Sequence, residues 1–357
     1  MKICEDQAYK GDNVLPPIKV ILVTGSYPPD VCGTADYSAR LEQSLANIGV
    51  EVEVFSGKQW AVQNAQMLVR EIRQRNPDIV HMQYPTTGYG WKLGPQTMAL
   101  LQPNIVTLHE ASQGHLLRKL SLYPFTLRAK KVIFTNEYER GFVQRMAPWI
   151  VNRSTVIPIG SNIIPIPLSG TRDSKTVTYF GLIRPEKGLE EVMELARLLR
   201  TNSLSWKVRI VGKLMPGYEA YYEQLRLQGR ELPLDWRIGL NGDALSLALA
   251  SSDIAYLPFP DGASERRGSL IALLAHGSAV ITTKGPHTPS MIQEAVLFAH
   301  SPSEVLELIN YLNADSARKS ILQQRARAYA RKFEWEDIAA QHVSVYESVL
   351  RRSKLAC

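Results

Sequence analysis

The feature that most constrains the fold of this chain is an alternation of short β-branched runs with longer segments of helical period. It begins with "KVILVT" at 19–24, followed by a loop and a segment that reads as an amphipathic helix ended by Gly49. Such alternation is typical of parallel sheets covered by helices on both faces. The predicted apolar face of this first helix comprises Tyr37, Leu41, Leu45 and Ile48.

The alternation occurs twice, and a proline-rich segment, "PIGSNIIPIPLSG" at Pro158–Gly170, separates the two halves. Proline fixes φ and lacks an N–H group, so this segment is predicted to be a linker. We therefore predict an α/β protein with two domains whose sheets face each other across a cleft. Further strands are predicted at 50–56, 78–83, 104–109 and 130–136 in the first half, and at 176–181, 206–212, 235–240, 254–259 and 278–283 in the second.

Length and charge limit the classes of function. A chain of 357 residues with 45% hydrophobic content can fill two cores of about 150 residues each. Its 41 basic and 34 acidic residues give a net charge of +7, which suits an anionic small ligand, an anionic membrane face or a nucleic acid. The basic residues are scattered and no nucleic-acid-binding motif occurs, so nucleic acid is the partner class least favoured.

The cysteines and the N-terminal residues indicate the compartment. Cys4, Cys32 and Cys357 show no metal-binding spacing and are odd in number, which favours a reducing environment. The N-terminus lacks the apolar run of a signal peptide, and no stretch approaches the 18 or so apolar residues of a membrane span. We predict a cytoplasmic protein whose membrane contact, where it occurs, is peripheral.

Ligands of open α/β sheets bind at the carboxyl ends of the strands, where helix N-termini converge. The first loop of this kind is "TGSYPPDVCGTADYS", in which Gly33 lets backbone approach a phosphate and Thr34 can cap the following helix. The loop matches neither the dinucleotide-binding fingerprint nor a P-loop. The alternative is a glycine that only makes a turn.

Two further loops carry candidate residues. In "VTLHEAS", His109 ends a strand and lies at the mouth of the sheet, although a lone histidine is more often structural. In "FGLIRPEKGLEEV", Arg184 and Lys187 lie three apart at a strand-to-helix turn, so both cations and the helix N-terminus can face one anion such as a diphosphate. The alternative for this pair is two solvated surface charges.

A fourth loop, "PFPDGASERRGSLIALLAHG" at 258–277, places carboxylates, two arginines and a Gly-Ser step directly before a buried helix. The N–H groups of Gly268, Ser269 and Leu270 are predicted to lie at the helix start and to hold a phosphate. Arg266 and Arg267 either add to this anion site or face solvent.

These loops and their neighbouring segments also resemble those of a known protein family. The segments "GSYPPDVCGTADYSARLEQSLANIGVEVEVFS", "DIVHMQYP", "VTLHEAS", "VIPIGSNI", "YFGLIRPEKGLEEV", "VRIVGK", "SDIAYLPF", "AHGSAVITT" and "FEWEDIAAQHVSVYESVL" occur in the order found in family 4 glycosyltransferases of the GT-B fold. The resemblance covers nearly the whole chain. It implies two Rossmann-like domains, a nucleotide-sugar donor on the C-terminal domain, an acceptor on the N-terminal domain, and metal-independent transfer with retention of anomeric configuration.

The resemblance also implies the domain boundaries. We expect an acceptor-binding domain at 1–165 and a donor-binding domain at 166–334, with a terminal helix, 335–357, that crosses back to the N-terminal domain. The sequence itself predicts only that this helix is amphipathic and packs on the body of the protein. Its predicted buried stripe comprises Trp335, Ile338, His342, Val345 and Val349.

Carried over by position, the resemblance implies that Gly33 lies near the donor diphosphate, where the neighbour is often a second glycine and is here Cys32. It implies that His109 lies by the donor sugar and that Arg184 and Lys187 neutralise the diphosphate. Fixed cations there stabilise charge on the leaving oxygen, and in the mechanism proposed for such enzymes the leaving phosphate itself takes the acceptor proton. The predicted donor-binding residues are Gly33, Thr34, Arg184, Lys187, Gly212, Asn241, Arg267, Gly268, Ser269 and Leu270.

The chain departs from the family pattern in the fourth loop. The family carries two glutamates separated by seven residues, and these positions fall on Ser264 and Ala272. The second carboxylate, which would face the nucleotide ribose, is absent. Since Glu265 is one place from the first position, we predict that it acts on the donor sugar and count it, with His109, Arg184 and Lys187, among the catalytic residues.

The predicted function is a retaining, metal-independent transferase of the hexosyltransferase type with no cofactor. It would move a sugar from a nucleotide-diphosphate sugar to a glycan or lipid-linked acceptor, in cell-surface polysaccharide synthesis. The alternatives are an inactive GT-B subunit that binds a nucleotide or a partner transferase, and an epimerase or phosphorylase of the same architecture.

Residues 110–131 bear on the acceptor, because they mix Arg118, Lys119, Arg128, Lys130 and Lys131 with Leu116, Leu117, Leu120 and Phe125. Such a segment rests on an anionic membrane or forms a core helix with a solvated basic face.

Overall fold

A computed structural model describes residues 17–30, 32–112, 114–168 and 170–355. Its contacts divide the chain into two compact units. The first contains the residues up to Ile133, Val143–Thr155 and the residues from His342 onward; the second contains Phe134–Phe142 and Val156–Gln341. The division therefore falls near Val156 rather than at 165, and it separates the first turns of the terminal helix from the rest.

The first six strands form one sheet in the order β2-β1-β3-β4-β5-β6. Strand β1 pairs parallel with β2 and β3, and β3 pairs parallel with β4. All six residues of β3 are buried, as expected for an inner strand covered on both faces. The strands are β1 (Lys19–Val23), β2 (Glu51–Phe55), β3 (Ile79–Tyr84), β4 (Ile105–Leu108), β5 (Lys131–Phe134) and β6 (Ser154–Val156).

Helices alternate with these strands. In the first helix, Tyr37, Leu41 and Leu45 are buried as predicted, but the prediction for Ile48 is wrong, because the helix ends at Asn47 and Ile48 is 43% exposed. The helices are α1 (Gly33–Asn47), α2 (Ala65–Gln74), α3 (Gly94–Leu101), α4 (Leu116–Leu120), α5 (Tyr123–Arg128) and α6 (Glu137–Met146), with short 3-10 helices at Val62–Asn64, Thr87–Tyr89 and Pro148–Arg153.

The second sheet has the order β12-β11-β10-β7-β8-β9, so β10 and β7 are central neighbours. Strand β10 pairs parallel with β7 and β11, and β8 pairs parallel with β7 and β9. Two six-stranded α/β sheets confirm the predicted fold class. The strands are β7 (Asp173–Ile183), β8 (Lys207–Leu214), β9 (Leu234–Ile238), β10 (Ser252–Leu257), β11 (Ala279–Thr282) and β12 (Val296–Phe298).

The helix after β7 begins only at Leu189, six residues after the strand ends at Ile183. Gly188 has a left-handed backbone (φ 76°) and forms the N-cap, so the preceding residues make a turn instead. The helices of this region are α7 (Leu189–Thr201), α8 (Glu219–Gln228), α9 (Gly242–Ala250), α10 (Gly268–Ala275), α11 (Pro302–Ala314), α12 (Ser316–Ala330) and α13 (Trp335–Leu355), with 3-10 helices at Ser290–Glu294 and Arg331–Phe333.

The terminal helix α13 shows most of its predicted stripe. Trp335, Ile338, His342 and Val349 are buried, whereas Val345 is only half-buried. Tyr346, which the predicted stripe omits, is fully buried. Spacings of three and four residues permit either position on one helical face, and packing against the first sheet selects the tyrosine.

Candidate functional site

The candidate site of the second unit is built where its two central strands end. Strands β7 and β10 are neighbours, so the turn after β7 lies beside the 258–267 loop that follows β10. Gly188 makes this close approach possible, because a Cβ added there would lie 2.0 Å from the carbonyl oxygen of Pro258. The hydroxyl of Tyr179 donates to the carbonyl oxygen of Lys187 at 3.1 Å and holds the turn.

Three basic side chains meet at this edge, and we call Arg184, Lys187 and Arg267 the cationic cluster. Burial, and then the charges of Arg184 and Arg267, lower the pKa of Lys187 below its usual value. Among the described residues neither Arg184 nor Lys187 forms an ion pair, whereas Arg267 contacts the carboxylate of Asp261. The cluster therefore holds more positive charge than its acidic neighbours neutralise.

The N-terminus of α10 lies at the same edge. Arg267 is its N-cap residue and packs its guanidinium over the Phe259 ring, 4.9 Å from the centroid. The amide of Leu270 already donates to the carbonyl oxygen of Arg267 at 2.9 Å. The amides of Gly268 and Ser269 have no such bond among the described residues, and the position of a Cβ on Gly268 faces open space. These two amides, rather than three, remain to meet an anion.

The 258–267 loop is held from its other side by the chain after β11. Thr283 donates from its hydroxyl to the carbonyl oxygen of Phe259 at 2.5 Å, and Thr288 donates to that of Ala263 at 2.8 Å. The amide of Ala263 in turn donates to the Thr283 carbonyl at 2.9 Å. These hydrogen bonds brace the loop in addition to the contacts that Arg267 makes with Asp261 and Phe259.

Glu265 is engaged by other side chains. Its Oε1 accepts hydrogen bonds from Tyr329 Oη at 2.8 Å and from Lys332 Nζ at 2.6 Å. Both family glutamate positions are buried: Ser264 lies within the 258–267 loop and Ala272 lies in the core face of α10. Arg266 is exposed. The assignment of Glu265 to the donor sugar remains a prediction.

Gly212 and Asn241, two other predicted donor-binding residues of the second unit, have structural roles. Gly212 lies within β8, where an added Cβ would be 2.4 Å from the carbonyl oxygen of Gly181, so it permits the close pairing of β7 and β8. Asn241 precedes α9 as its N-cap residue and donates from Nδ2 to the carbonyl oxygen of Gly239 at 3.1 Å. Asn241 lies after β9, at the carboxyl edge of the sheet, and its assignment to the donor remains a prediction.

In the first unit, the loop after β1 meets the loop after β3. The N-cap of α1 is Cys32, and the hydroxyl of Thr34 donates to the carbonyl oxygen of Pro85 at 3.2 Å, so the predicted capping by Thr34 is wrong. Gly33 is the first helical residue and faces open space. Burial raises the pKa of Cys32, but hydrogen bonds from the Thr87 hydroxyl and from neighbouring amides outweigh it and lower this pKa to about 7.

His109 follows β4 and belongs to a buried polar network. Its Nε2 donates to Gln83 Oε1 at 3.0 Å, since an amide oxygen can only accept, and its ring meets the Tyr37 ring edge-on at 4.8 Å. Burial, and then the charge of His342, lowers the pKa of His109 to about 4. Tyr37 lies in the first turns of α1, so the structure brings His109 close to Gly33 and Thr34 at one edge of the first sheet.

The network includes residues that the sequence analysis missed. His81 contacts Tyr346 Oη through Nδ1 at 2.8 Å and Thr107 Oγ1 through Nε2 at 2.8 Å, and Gln83 Nε2 lies 3.2 Å from the same Nε2. A signal was present, because His81 and Gln83 are alternate residues of an otherwise apolar strand and so share one face. The alternation in "DIVHMQ" predicts that His81 and Gln83 share a face, but it does not predict that Tyr346 of α13 contacts His81.

The described residues provide neither a metal-binding cluster nor a helix that could span a membrane. No group of three histidine, cysteine, aspartate or glutamate side chains there is arranged to hold a metal ion. No helix within 17–355 combines the length and the apolar character that crossing a bilayer requires.

The fold has close structural relatives. A glycosyltransferase from Rickettsia africae ESF-5 superposes with a TM-score of 0.69 at 13% identity, covering 94% of this chain and 99% of that one. HepE from Anabaena, solved with UDP and glucose, superposes with a TM-score of 0.60 at 15% identity, covering 93% and 100%. The catalytic domain of starch synthase IV from Arabidopsis thaliana, bound to ADP and acarbose, gives 0.59 at 13% identity, covering 94% and 100%.

These relatives and the two sheets define the class of protein as one with the GT-B fold. Within that class, residues 18–163 match the model of Glycosyltransferase Family 4, which confirms the family resemblance predicted from the sequence. The chain is a glycosyltransferase of the GT-B type. None of the curated protein sequences matches it.

Proposed function

We propose that this glycosyltransferase takes its sugar from a nucleotide-diphosphate sugar bound at the cationic cluster. The single observation that carries the proposal is that Arg184, Lys187 and Arg267 meet the N-terminus of α10 with an excess of positive charge. Such an arrangement suits a diphosphate, whose charge increases as the glycosidic bond breaks. Relatives with UDP or ADP bound support this donor class.

We further propose metal-independent transfer with retention of configuration. Charge on the leaving oxygen would be stabilised by the guanidinium of Arg184, the ammonium of Lys187 and the free amides of α10. These groups do the work that a divalent cation does in other phosphate-leaving reactions. The leaving phosphate would take the acceptor proton on the same face, so the reaction needs no side-chain base.

A nucleotide screen tests the donor proposal. UDP, GDP, ADP, CMP and dTDP, with their common sugars, would be titrated calorimetrically into the wild type, Arg184→Ala and Lys187→Ala. We expect one nucleoside diphosphate to bind, at least about tenfold more weakly to each variant, because each loses a charge-assisted hydrogen bond. Arg197→Ala is the matched control, since Arg197 is exposed on α7 and paired with Glu194. If the nucleotide bound the wild type and all three variants with equal affinity, the assignment of the donor site to Arg184 and Lys187 would be refuted.

Retention and metal independence need a transfer assay. With the donor identified, the anomeric configuration of the product would be read by NMR, and the rate would be compared with and without EDTA. Retained configuration and an unchanged rate are expected; inversion or loss of the rate would contradict the corresponding half of the proposal.

A glycan or lipid-linked acceptor is proposed for the first unit, and exposed leucines favour the lipid-linked form. Leu116 and Leu117 on α4 are each 70% exposed, and the adjoining Trp91, 79% exposed, stacks on His115 at 4.9 Å. We call Trp91, Leu116, Leu117 and Leu120 the leucine patch. Leu120 is also exposed, so α4 is not a core helix; Phe125, by contrast, is fully buried.

The charge around the leucine patch complements an anionic membrane. Residues 111–136 contain five basic side chains and no acidic one. Exposed leucines and a tryptophan beside basic groups are the composition of an interfacial membrane contact. We therefore propose that the protein is cytoplasmic and peripheral at the cell membrane, where it adds sugar during cell-surface polysaccharide synthesis.

Flotation with liposomes tests this contact. The wild type is expected to float with vesicles of anionic lipid and to remain soluble with purely zwitterionic vesicles. Leu116→Ser/Leu117→Ser should lose flotation, whereas Leu227→Ser, at an exposed leucine of α8, should keep it. A wild type that stays soluble with anionic vesicles would remove the membrane proposal and leave the donor proposal untouched.

The second candidate function is an inactive subunit that binds a nucleotide. Two observations favour it: Ala272 supplies no carboxylate, and Glu265 is bound by Tyr329 and Lys332. It predicts nucleotide binding without release of nucleoside diphosphate from any nucleotide sugar, in the presence or absence of acceptor. Acceptor-dependent release would exclude it, and would also exclude an epimerase, which uses no acceptor, and a phosphorylase, which transfers the glycosyl group to inorganic phosphate.

A further inference from the structure

The second unit contains a cavity of about 570 Å³ at the amino end of its central strand. Arg172, which lines it, directly precedes the first residue of β7, whereas the cationic cluster begins just after the last. The 11 residues of β7 rise by about 3.3 Å each, so Arg172 and Arg184 lie on the order of 35 Å apart along this strand. None of Arg184, Lys187 and Arg267 lines this cavity, so it is distinct from the cationic cluster.

Three arginines line the cavity: Arg172, Arg327 on α12 and Arg331 directly after α12. Glu334 is the one acidic side chain in its lining. Among the described residues, Arg327 and Arg331 form no hydrogen bond or ion pair through their side chains. Arg327 instead lies flat against the backbone of Gly277, where an added Cβ would be 2.3 Å from its Nε.

Arg172 is held in place by neutral groups. It donates to the carbonyl oxygens of Ser252 and His276, the latter at 2.5 Å, so its charge is not cancelled by a carboxylate. Burial, and then the neighbouring charge of Arg327, lowers its pKa. The charge of Asp253 works in the opposite direction and raises the pKa of Arg172. The Asp253 carboxylate, however, forms an ion pair with Lys319 at 2.5 Å.

Apart from His276, the rest of the lining is apolar. Pro165, Leu168, Ala250 and Ala275 contribute apolar surface to it. A volume of this size lies in the range of small-molecule sites, which combine apolar walls with a few convergent polar groups. Guanidinium groups bind phosphoryl oxygens in pairs through their planar fork.

We propose that this cavity is a second anion site, which binds a phosphorylated small molecule through Arg172, Arg327 and Arg331. The phosphoryl group lies among the guanidinium groups, and the organic part lies against Pro165 and Leu168. The proposal does not depend on the donor site or on transferase activity.

Calorimetry with inorganic pyrophosphate tests the site. In Arg184→Ala/Lys187→Ala, which removes two of the three cations of the cationic cluster, pyrophosphate should still bind at one site. Adding Arg327→Ala/Arg331→Ala in that background should weaken this binding at least about tenfold, since two charge-assisted contacts are lost. Arg325→Ala is the matched control, because Arg325 is an exposed arginine of α12 outside the cavity. Both Arg327 and Arg331 are exposed, so circular dichroism should show an intact fold.

Two results would overturn the proposal: no pyrophosphate binding by the Arg184→Ala/Lys187→Ala protein, or equal binding when Arg327→Ala/Arg331→Ala or Arg325→Ala is added to it. A second titration tests the apolar wall, with inorganic phosphate, glucose 1-phosphate and AMP in the Arg184→Ala/Lys187→Ala protein. An organic phosphate should bind more tightly than inorganic phosphate, and weaker binding of both organic phosphates would contradict the assignment of the wall.

Discussion

Gly188 and Pro258 approach so closely that a single methyl group at Gly188 would lie 2.0 Å from the Pro258 carbonyl oxygen. The contact joins the turn that carries Arg184 and Lys187 to the loop that leads to α10. It therefore sets the spacing between two parts of the proposed donor site.

We expect Gly188→Ala to destabilise the protein by more than about 2 kcal/mol, because it adds this clash to the cost of a left-handed backbone. Gly217→Ala is the control: Gly217 also has a positive φ, 87°, but its added Cβ meets nothing within 4 Å. That variant should lose only about 1–2 kcal/mol. Urea unfolding of both variants measures the difference, and equal losses would show that the contact with Pro258 is unimportant.

The ion pair of Glu265 and Lys332 should stabilise the 258–267 loop. Glu265→Gln, Lys332→Met and the double variant form a thermodynamic cycle, for which we expect a coupling free energy of about 1 kcal/mol, since the pair is partly exposed to solvent. Tyr329→Phe should cost about 1 kcal/mol through its lost hydrogen bond. In Glu194→Gln, which changes an exposed carboxylate, the loss should stay below about 0.5 kcal/mol. A coupling free energy of zero would show that the ion pair with Lys332 does not stabilise the loop.

Cys32 should be alkylated at unusually low pH. Its pKa of about 7 means that the reactive thiolate fraction rises as pH increases through 7, whereas a free cysteine requires about pH 8.5. Rates with iodoacetamide between pH 5 and 9, followed by peptide mapping, measure this midpoint. Thr87→Ala removes one of the hydrogen bonds to the sulfur and should shift the midpoint upward. A midpoint at pH 8.5 in the wild type would contradict the hydrogen bonds that Thr87 and the neighbouring amides donate to the Cys32 sulfur.

Protonation of buried histidine should destabilise the first unit at low pH. His109 has a pKa of about 4 when folded and about 6.5 when unfolded, so between these values the unfolded chain binds more protons. The free energy of unfolding therefore falls as pH decreases through this window, by up to about 1.4 kcal/mol per pH unit for this one group.

Thermal unfolding from pH 7 to 4 measures the effect of His109. His109→Gln should show a smaller decrease in melting temperature with falling pH, although the lowered pKa of His81 keeps part of the dependence. His300→Gln, at an exposed histidine, should behave as the wild type. Equal pH dependence in His109→Gln and the wild type would contradict the assignment to His109.

Much of the architecture was accessible from local pattern. Alternating β-branched and helical segments predicted both sheets, because the periods of strand and helix are properties of neighbouring residues. The ends of those strands then indicated where His109, Arg184 and Lys187 would lie, since parallel strands bring their carboxyl ends to one edge.

The tertiary structure alone decided which of these ends meet. The cationic cluster joins Arg184 and Lys187 to Arg267 because β10 inserts beside β7, a strand order that no local period specifies. Long-range packing likewise decided that Lys332 and Tyr329 bind Glu265. The leucines of α4 show the same limit: their sequence suits burial or exposure equally, and only the presence or absence of a covering element determines which occurs.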